Sequence, residues 1–310
     1  MKFEWKGVFP AVTTKFGADD QLDLKAFDHN LQAQLDAGVD GIILGGSLGE
    51  ASTLTDGEKD ELVKFTVQSV KGRVPVIMNV AEQATKSARE AAARAEAHGA
   101  DGLMLLPPMR YAADDVETVH FFRSVAKSTR LPIMLYNNPA DYKIFISVPM
   151  FRQLEDVANI TAVKESTRDI SNVTRMRSAF GKRFSILTGV DTLAMESLVM
   201  GADGWVAGLV CAFPKETVAV YNLVKAGRID EARALYQWFL PVLELDVSTK
   251  LVQNIKLAES LTGLGNERVR EPRLPLAGDE RKKVMGILET ALKSRPEVDA
   301  YVKNLNGVNV

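Results

Sequence analysis

Short apolar runs alternate with longer amphipathic stretches along most of the chain. The runs are Gly7–Thr13, Gly41–Gly46, Pro75–Val80, Gly102–Leu106, Pro132–Tyr136, Ile160–Lys164, Phe184–Thr188 and Gly204–Leu209. They are apolar throughout rather than alternating, and rich in Val, Ile and Leu, as strands buried on both faces of a parallel sheet are. The intervening stretches carry helix signals. Thr55 precedes Glu58 by three residues, the capping-box spacing, ahead of a helix through Glu61–Val70 that ends before Gly72. Lys86–His98 is rich in Ala, Glu and Arg and stops at Gly99. Val148-Pro149 and Phe213-Pro214 place a proline where a helix can start.

One punctuation recurs at Gly38-Val39-Asp40-Gly41, Gly99-Ala100-Asp101-Gly102 and Gly201-Ala202-Asp203-Gly204, each time between a helix and an apolar run. The first glycine suits a left-handed helix end and the aspartate a tight turn into a strand. About eight β–α units predict an α/β fold of the closed (β/α)8, or TIM, barrel type. No glycine-rich dinucleotide fingerprint follows the first run, which disfavours a doubly wound sheet. Beyond residue 226 the strand pattern stops, and Asp230–Leu245, Ser248–Leu261 and Asp279–Leu292 read as helices. The expected organisation is a barrel over residues 1–226 and a C-terminal helical appendage over 227–310.

Composition sets bounds on partners. The chain has 310 residues, 46% hydrophobic and 25% charged, with a net charge of −2. That suits a globular core, and it points neither to nucleic acid nor to a membrane surface. No run reaches the roughly 18 apolar residues of a membrane span. Cys211 is the single cysteine, so no internal disulfide forms, and with no signal-peptide pattern the chain reads as cytoplasmic. His29, His98 and His120 lack metal-ligand spacing, and no metal is expected. Cys211 reads as a buried structural thiol.

Barrel chemistry gathers at the C-terminal ends of the strands. There Lys164 follows the apolar Ile160–Val163. A buried lysine is easily neutralised, and its free amine can form a Schiff base with a carbonyl carbon. The structural alternative pairs it with Glu165 or Asp191. Tyr136 ends the preceding run and can relay a proton, or simply fill space with its hydroxyl bonded to backbone. The small residues of Gly45–Glu50 offer main-chain N–H groups to a carboxylate, without the GK[ST] of a phosphate loop.

Gly46-Ser47-Leu48-Gly49-Glu50, Tyr136-Asn137-Asn138-Pro139 and Val163-Lys164-Glu165-Ser166 together resemble the dihydrodipicolinate synthase and N-acetylneuraminate lyase family over nearly the whole chain. The resemblance implies that Lys164 forms the Schiff base, that Tyr136 relays protons, and that Ser47 links Tyr136 to a further tyrosine. It also implies a homotetramer, no cofactor, and a small 2-oxo or cyclic imino acid as substrate. Gly46, Leu48, Asn138, Asp141, Gly189 and Val206 are expected to line the pocket.

The chain departs from the family pattern in three places. Ser47-Leu48 stands for two threonines, and Asp141 for an arginine that binds a second carboxylate. Tyr111 falls slightly late for the tyrosine shared from a neighbouring subunit. Exchanging a cation for an anion disfavours a dicarboxylate.

Further segments, Leu106-Pro107-Pro108-Met109, Gly204–Leu209 and Arg270–Pro275, are similar to deaminases of 1-pyrroline-4-hydroxy-2-carboxylate in hydroxyproline breakdown. That resemblance implies release of ammonia and 2,5-dioxopentanoate. The alternatives are an aldolase or dehydratase of a 2-keto-3-deoxy sugar acid, 4-hydroxy-tetrahydrodipicolinate synthase, and a non-enzymatic sensor on the same scaffold.

Overall fold

A computed structural model describes residues 3–299 and 301. All eight apolar runs form strands: β1 (Gly7–Pro10), β2 (Ile42–Leu44), β3 (Val76–Val80), β4 (Gly102–Leu105), β5 (Ile133–Asn137), β6 (Ile160–Glu165), β7 (Ser185–Thr188) and β8 (Gly204–Ala207). They pair in parallel in the order β1-β8-β7-β6-β5-β4-β3-β2. A bridge between Ala11 and Ile43, with Val12 N–H donating to the Ile43 carbonyl at 3.1 Å, brings β1 back to β2. The first run is therefore shorter as a strand than its apolar length suggests, because its last residues bend across to make this closure. Helices alternate with the strands, and the fold is a (β/α)8 barrel.

The recurring glycine–aspartate turns have a definite physical role. Gly38, Gly99 and Gly201 all have positive φ, at 85°, 91° and 104°. The aspartate two residues on turns sideways and accepts the first N–H groups of a neighbouring strand. Asp40 takes Val8 N–H at 2.8 Å, Asp101 takes Val76 N–H at 3.0 Å and Asp203 takes Ile186 N–H at 2.7 Å. Each turn thus closes one helix and fastens the strand beside the one it starts. At the other end of a β–α unit, Thr55 and Glu58 form the expected capping box, with Glu58 accepting Thr55 N–H at 2.8 Å. That helix spans Asp56–Val70, starting a turn earlier than the apolar positions alone suggest.

Side chains alternate across each strand. One set, including Phe9, Ile43, Ile77, Met104, Met134, Ala162, Leu187 and Val206, fills the barrel interior. The opposite set joins the larger core between sheet and helices. Lys164 is two residues beyond Ala162, and Tyr136 two beyond Met134, so the pleat aims both inward at the mouth.

The C-terminal segment folds as helices Ile229–Leu243, Leu251–Leu261 and Gly278–Lys293. Leu235, Phe239, Ile255 and Leu288 belong to the same hydrophobic cluster as the barrel's helix-facing residues. The packing delivers two polar features to the barrel mouth, the turn Glu244–Asp246 and the buried Lys256.

Candidate active site

A cavity of about 90 Å³ opens at the C-terminal ends of the strands. Its walls include Gly46, Ser47, Leu48, Tyr136, Asn138, Asp141, Lys164, Gly189 and Val206. The structure therefore gathers these nine positions from five separate strand ends into one place. Tyr111 lies elsewhere. It is 56% exposed and borders a different surface groove with Gln83 and His120.

Lys164 and Tyr136 are partners in the β5–β6 register. The lysine Nζ sits 4.1 Å from the centroid of the Tyr136 ring. Neither expected carboxylate pairs with it. Glu165 points to the other face, where it accepts from Thr167 N–H at 2.8 Å and Asn172 at 2.6 Å. Asp191 is occupied by Trp205 Nε1 at 2.9 Å and by the Gly208 and Leu209 N–H groups at 3.1 and 2.8 Å. Burial pulls the Lys164 ammonium below its ordinary range, against the opposing pull of Tyr142, Asp246, Asp191 and Asp141. Desolvation wins over the surrounding negative charge, which favours a neutral, nucleophilic amine.

Burial pushes the Tyr136 phenol up to about 12, against the lowering effect of Asn138, which donates to the phenol oxygen at 3.2 Å. Tyr136 is thus a protonated donor at ordinary pH. Asn138 also donates to Asp141 at 2.7 Å and caps the short helix Pro139–Tyr142.

Ser47 is bonded differently from the expectation. Its hydroxyl lies 2.6 Å from the Tyr142 hydroxyl, and among the described residues it makes no hydrogen bond to Tyr136. Tyr142 packs its ring edge-on to Tyr136, with centroids 5.4 Å apart. The second tyrosine beside Ser47 is therefore supplied by the same chain. Nearby, the N–H groups of Ser47 and Leu48 donate to no backbone carbonyl among the described residues, leaving two donors in the loop. The loop itself is tied down by Asn79, which donates to the Gly45 carbonyl at 2.8 Å.

Four polar residues of the site were given no role from sequence. Ser166 ends the quoted Val163–Ser166 motif and Tyr142 lies three residues past Pro139, and proximity to the motifs was the available signal. Arg168 follows Ser166 with a left-handed φ of 63° and lies 3.9 Å from Asp141. Asp246 carried no local signal, because it reaches the cavity only through the packing of the C-terminal helices.

The histidines stay outside this cavity, and Cys211 is buried with its thiol pushed up by burial. Among the described residues no group of three or more His, Cys, Asp or Glu side chains is placed to hold a metal ion. No described helix is long and apolar enough to cross a membrane.

A (β/α)8 barrel with an unpaired, desolvated lysine and a neutral phenol at its mouth has the makings of a carbonyl-handling enzyme that works through an imine. Comparison with known proteins agrees. The sequence profile of the Dihydrodipicolinate synthetase family matches residues 4–291. A 4-hydroxy-tetrahydrodipicolinate synthase of Exiguobacterium sibiricum is 32% identical over 286 residues, covering 92% of this chain and 97% of that protein. The solved 4-hydroxy-tetrahydrodipicolinate synthase of Methylacidiphilum fumariolicum SolV superposes with a TM-score of 0.90 at 30% identity, over 97% of this chain and 99% of that one. A dihydrodipicolinate synthase from Bacillus anthracis gives 0.90 at 28% identity, over 96% and 100%. The chain belongs to the dihydrodipicolinate synthetase family. It is an enzyme of the class I type, a lyase that uses a lysine Schiff base.

Proposed function

We propose that Lys164 is the Schiff-base lysine and that the substrate is a small 2-oxo acid or its cyclic imine. The observation that carries this reading is the buried Lys164 amine, free of any ion pair among the described residues, facing the cavity beside Tyr136. The amine attacks C2 of the substrate. Loss of water from a ketone, or opening of the ring from an imine, leaves a protonated imine on Nζ. That cation draws electrons from C3, so a C3 proton can leave and an enamine forms. The neutral Tyr136 phenol donates to departing oxygen and its oxygen takes the proton back, with Asn138 fixing its orientation. The free N–H groups of Ser47 and Leu48 are suited to the substrate's C1 carboxylate.

Two particular activities remain on this common path. The activity for which the relatives are named, 4-hydroxy-tetrahydrodipicolinate synthase, is the one that comparison supports. In it the enamine adds to an aldehyde carbon. The pocket's charge favours the second, deamination of 1-pyrroline-4-hydroxy-2-carboxylate. Asp141 and Asp246 both line the cavity, and among the described residues the one arginine there, Arg168, faces Asp141. A second substrate carboxylate would meet the Asp141 anion, the buried Asp246 carboxyl and a cation already engaged. In the deaminase, ring opening on Lys164 frees the C5 amine, a C3 proton and the C4 hydroxyl leave as water, the new double bond tautomerises to a C5 imine, and hydrolysis at C5 and C2 releases ammonia and 2,5-dioxopentanoate.

Borohydride reduction with pyruvate, and in parallel with the hydroxylated pyrroline acid, followed by peptide mass mapping, decides among these. A Lys164 adduct from pyruvate, with condensation onto an aldehyde and no ammonia from the imine, establishes the synthase type. A Lys164 adduct from the five-carbon imine lacking its hydroxyl, with ammonia released, establishes the deaminase. No adduct on Lys164 with either sinks the Schiff-base assignment.

A further inference from the structure

Asp246 and Ser166 face the same cavity from opposite sources, one from the C-terminal turn Glu244–Asp246 and one from the residue after β6. Ser166 is 2% exposed, and its hydroxyl closes no hydrogen bond of ordinary geometry among the described residues, although it lies near enough to the Tyr136 phenol to lower that group. A buried hydroxyl with bonding capacity to spare is commonly answered by a ligand or an ordered water. Asp246 is partly buried, and burial, with the charges of Asp191 and Asp141, holds its carboxyl well above the usual carboxylate range against the pull of Lys164 and Arg168, with no hydrogen bond to it among the described residues. Asp191, by contrast, is saturated by main-chain and indole donors. Room for Asp246 comes from Gly208, where a Cβ would lie 2.5 Å from Asp246 Oδ1. The cavity therefore presents a carboxyl and a hydroxyl with bonding capacity that the protein leaves unused.

We propose that Asp246 and Ser166 form the specificity contact for a hydroxyl group on the substrate's carbon chain, so that this enzyme selects hydroxylated 2-oxo or imino acids over unsubstituted or dicarboxylic ones. The substrate hydroxyl donates to an Asp246 carboxyl oxygen and accepts from the Ser166 hydroxyl. A methylene in that place leaves both protein groups desolvated and without that bond. A second carboxylate brings like charge against Asp141. The selection rests on the Lys164 Schiff-base reading, because the imine anchors the chain whose hydroxyl is read. It does not depend on whether the anchored acid then condenses or deaminates.

The test uses 2-oxobutanoate and 4-hydroxy-2-oxobutanoate, which differ by one hydroxyl, with pyruvate as the reference and borohydride trapping on Lys164 as the readout. The unsubstituted enzyme is expected to be trapped by the hydroxylated acid about 10- to 100-fold more efficiently than by its deoxy analogue, the range for two neutral hydrogen bonds. Asp246→Ala should bring that ratio near one, each acid being compared with pyruvate on the same variant so that any change in the Lys164 amine cancels, and with retained pyruvate trapping showing that the fold and Lys164 are intact. Asp246→Asn should keep part of the ratio, because its amide oxygen still accepts. Equal trapping of the two acids by the unsubstituted enzyme, or a ratio that survives Asp246→Ala, overturns the proposal while pyruvate trapping leaves the Schiff base standing. Failure of all three acids to trap overturns both.

Discussion

Glu50 and Lys256, 206 residues apart in sequence, form an ion pair at 2.5 Å with both side chains closed to solvent. Glu50 ends the Gly46–Glu50 loop in a left-handed backbone conformation, at φ 55°. Lys256 comes from the helix Leu251–Leu261 and also donates to the Arg268 carbonyl. Arg270 N–H donates to the second Glu50 oxygen at 3.0 Å. The C-terminal helices thereby hold the loop that carries Ser47.

Breaking this pair from one side leaves a buried charge alone. Glu50→Gln or Lys256→Met is expected to cost about 3–5 kcal/mol, read from denaturant midpoints. The double variant should lose less than the sum of the two, since no lone charge remains. Burial lowers Lys256 from its ordinary 10.5 to about 8, against the raising pull of Glu50. Between those values the unfolded chain holds the proton and the folded chain does not. This group's contribution to stability therefore rises with pH across that window. Lys256→Met should flatten that part of the stability–pH curve.

Gly189 is a packing requirement of Lys164, the proposed nucleophile. A Cβ there would lie 2.3 Å from Ser166 Oγ and 2.5 Å from Lys164 Cε. Gly189→Ala should displace the lysine and lower kcat by about 100-fold, as misplacement of a reacting group by an ångström does. Circular dichroism should stay native, since the φ of Gly189 is not in the left-handed range.

Tyr142 and Ser47 should behave as a unit. Tyr142→Phe and Ser47→Ala each remove the 2.6 Å bond and are expected to lower kcat by roughly tenfold, the equivalent of about one hydrogen bond. The double variant should be little worse than either single one. Fully additive losses would show that the two hydroxyls act separately.

The pH dependence of imine formation follows from the Lys164 amine. Only the neutral amine attacks, and burial sets its pKa below 10.5. The rate of borohydride trapping with pyruvate should rise with pH and level off before pH 10.5. Tyr136, held up near 12, should add no alkaline decline below about pH 11. A midpoint at or above 10.5 would contradict the desolvated amine.

Much of the fold was legible because its causes are local. An apolar run bounded by a glycine–aspartate turn specifies a buried strand and its entry, and all eight runs became strands. Lys164 and Tyr136 were legible for the same reason, each being a polar residue that ends a buried run. The Ser47 linkage was not. Whether that hydroxyl reaches Tyr136 or Tyr142 depends on how the short helix Pro139–Tyr142 folds over the mouth, and Asn138 sets that by capping it. Asp246 was still less accessible. Nothing beside it in sequence marks it, and it enters the cavity only because helices Ile229–Leu243 and Leu251–Leu261 pack against the barrel and Gly208 leaves space.

The sequence by itself determined the strand and helix order, the parallel barrel and the family to which the chain belongs, because periodicity, caps and turn residues act over a few positions. The inward aim of Lys164 follows from the pleat once the strand is known. Only the tertiary structure decided which groups share the cavity with it: that Glu165 faces away, that Asp191 is consumed by backbone donors, and that Asp246 and Ser166 are left open to a ligand. Those outcomes turn on distances between residues far apart in the chain, where burial and hydrogen-bond competition act, and no local pattern encodes them.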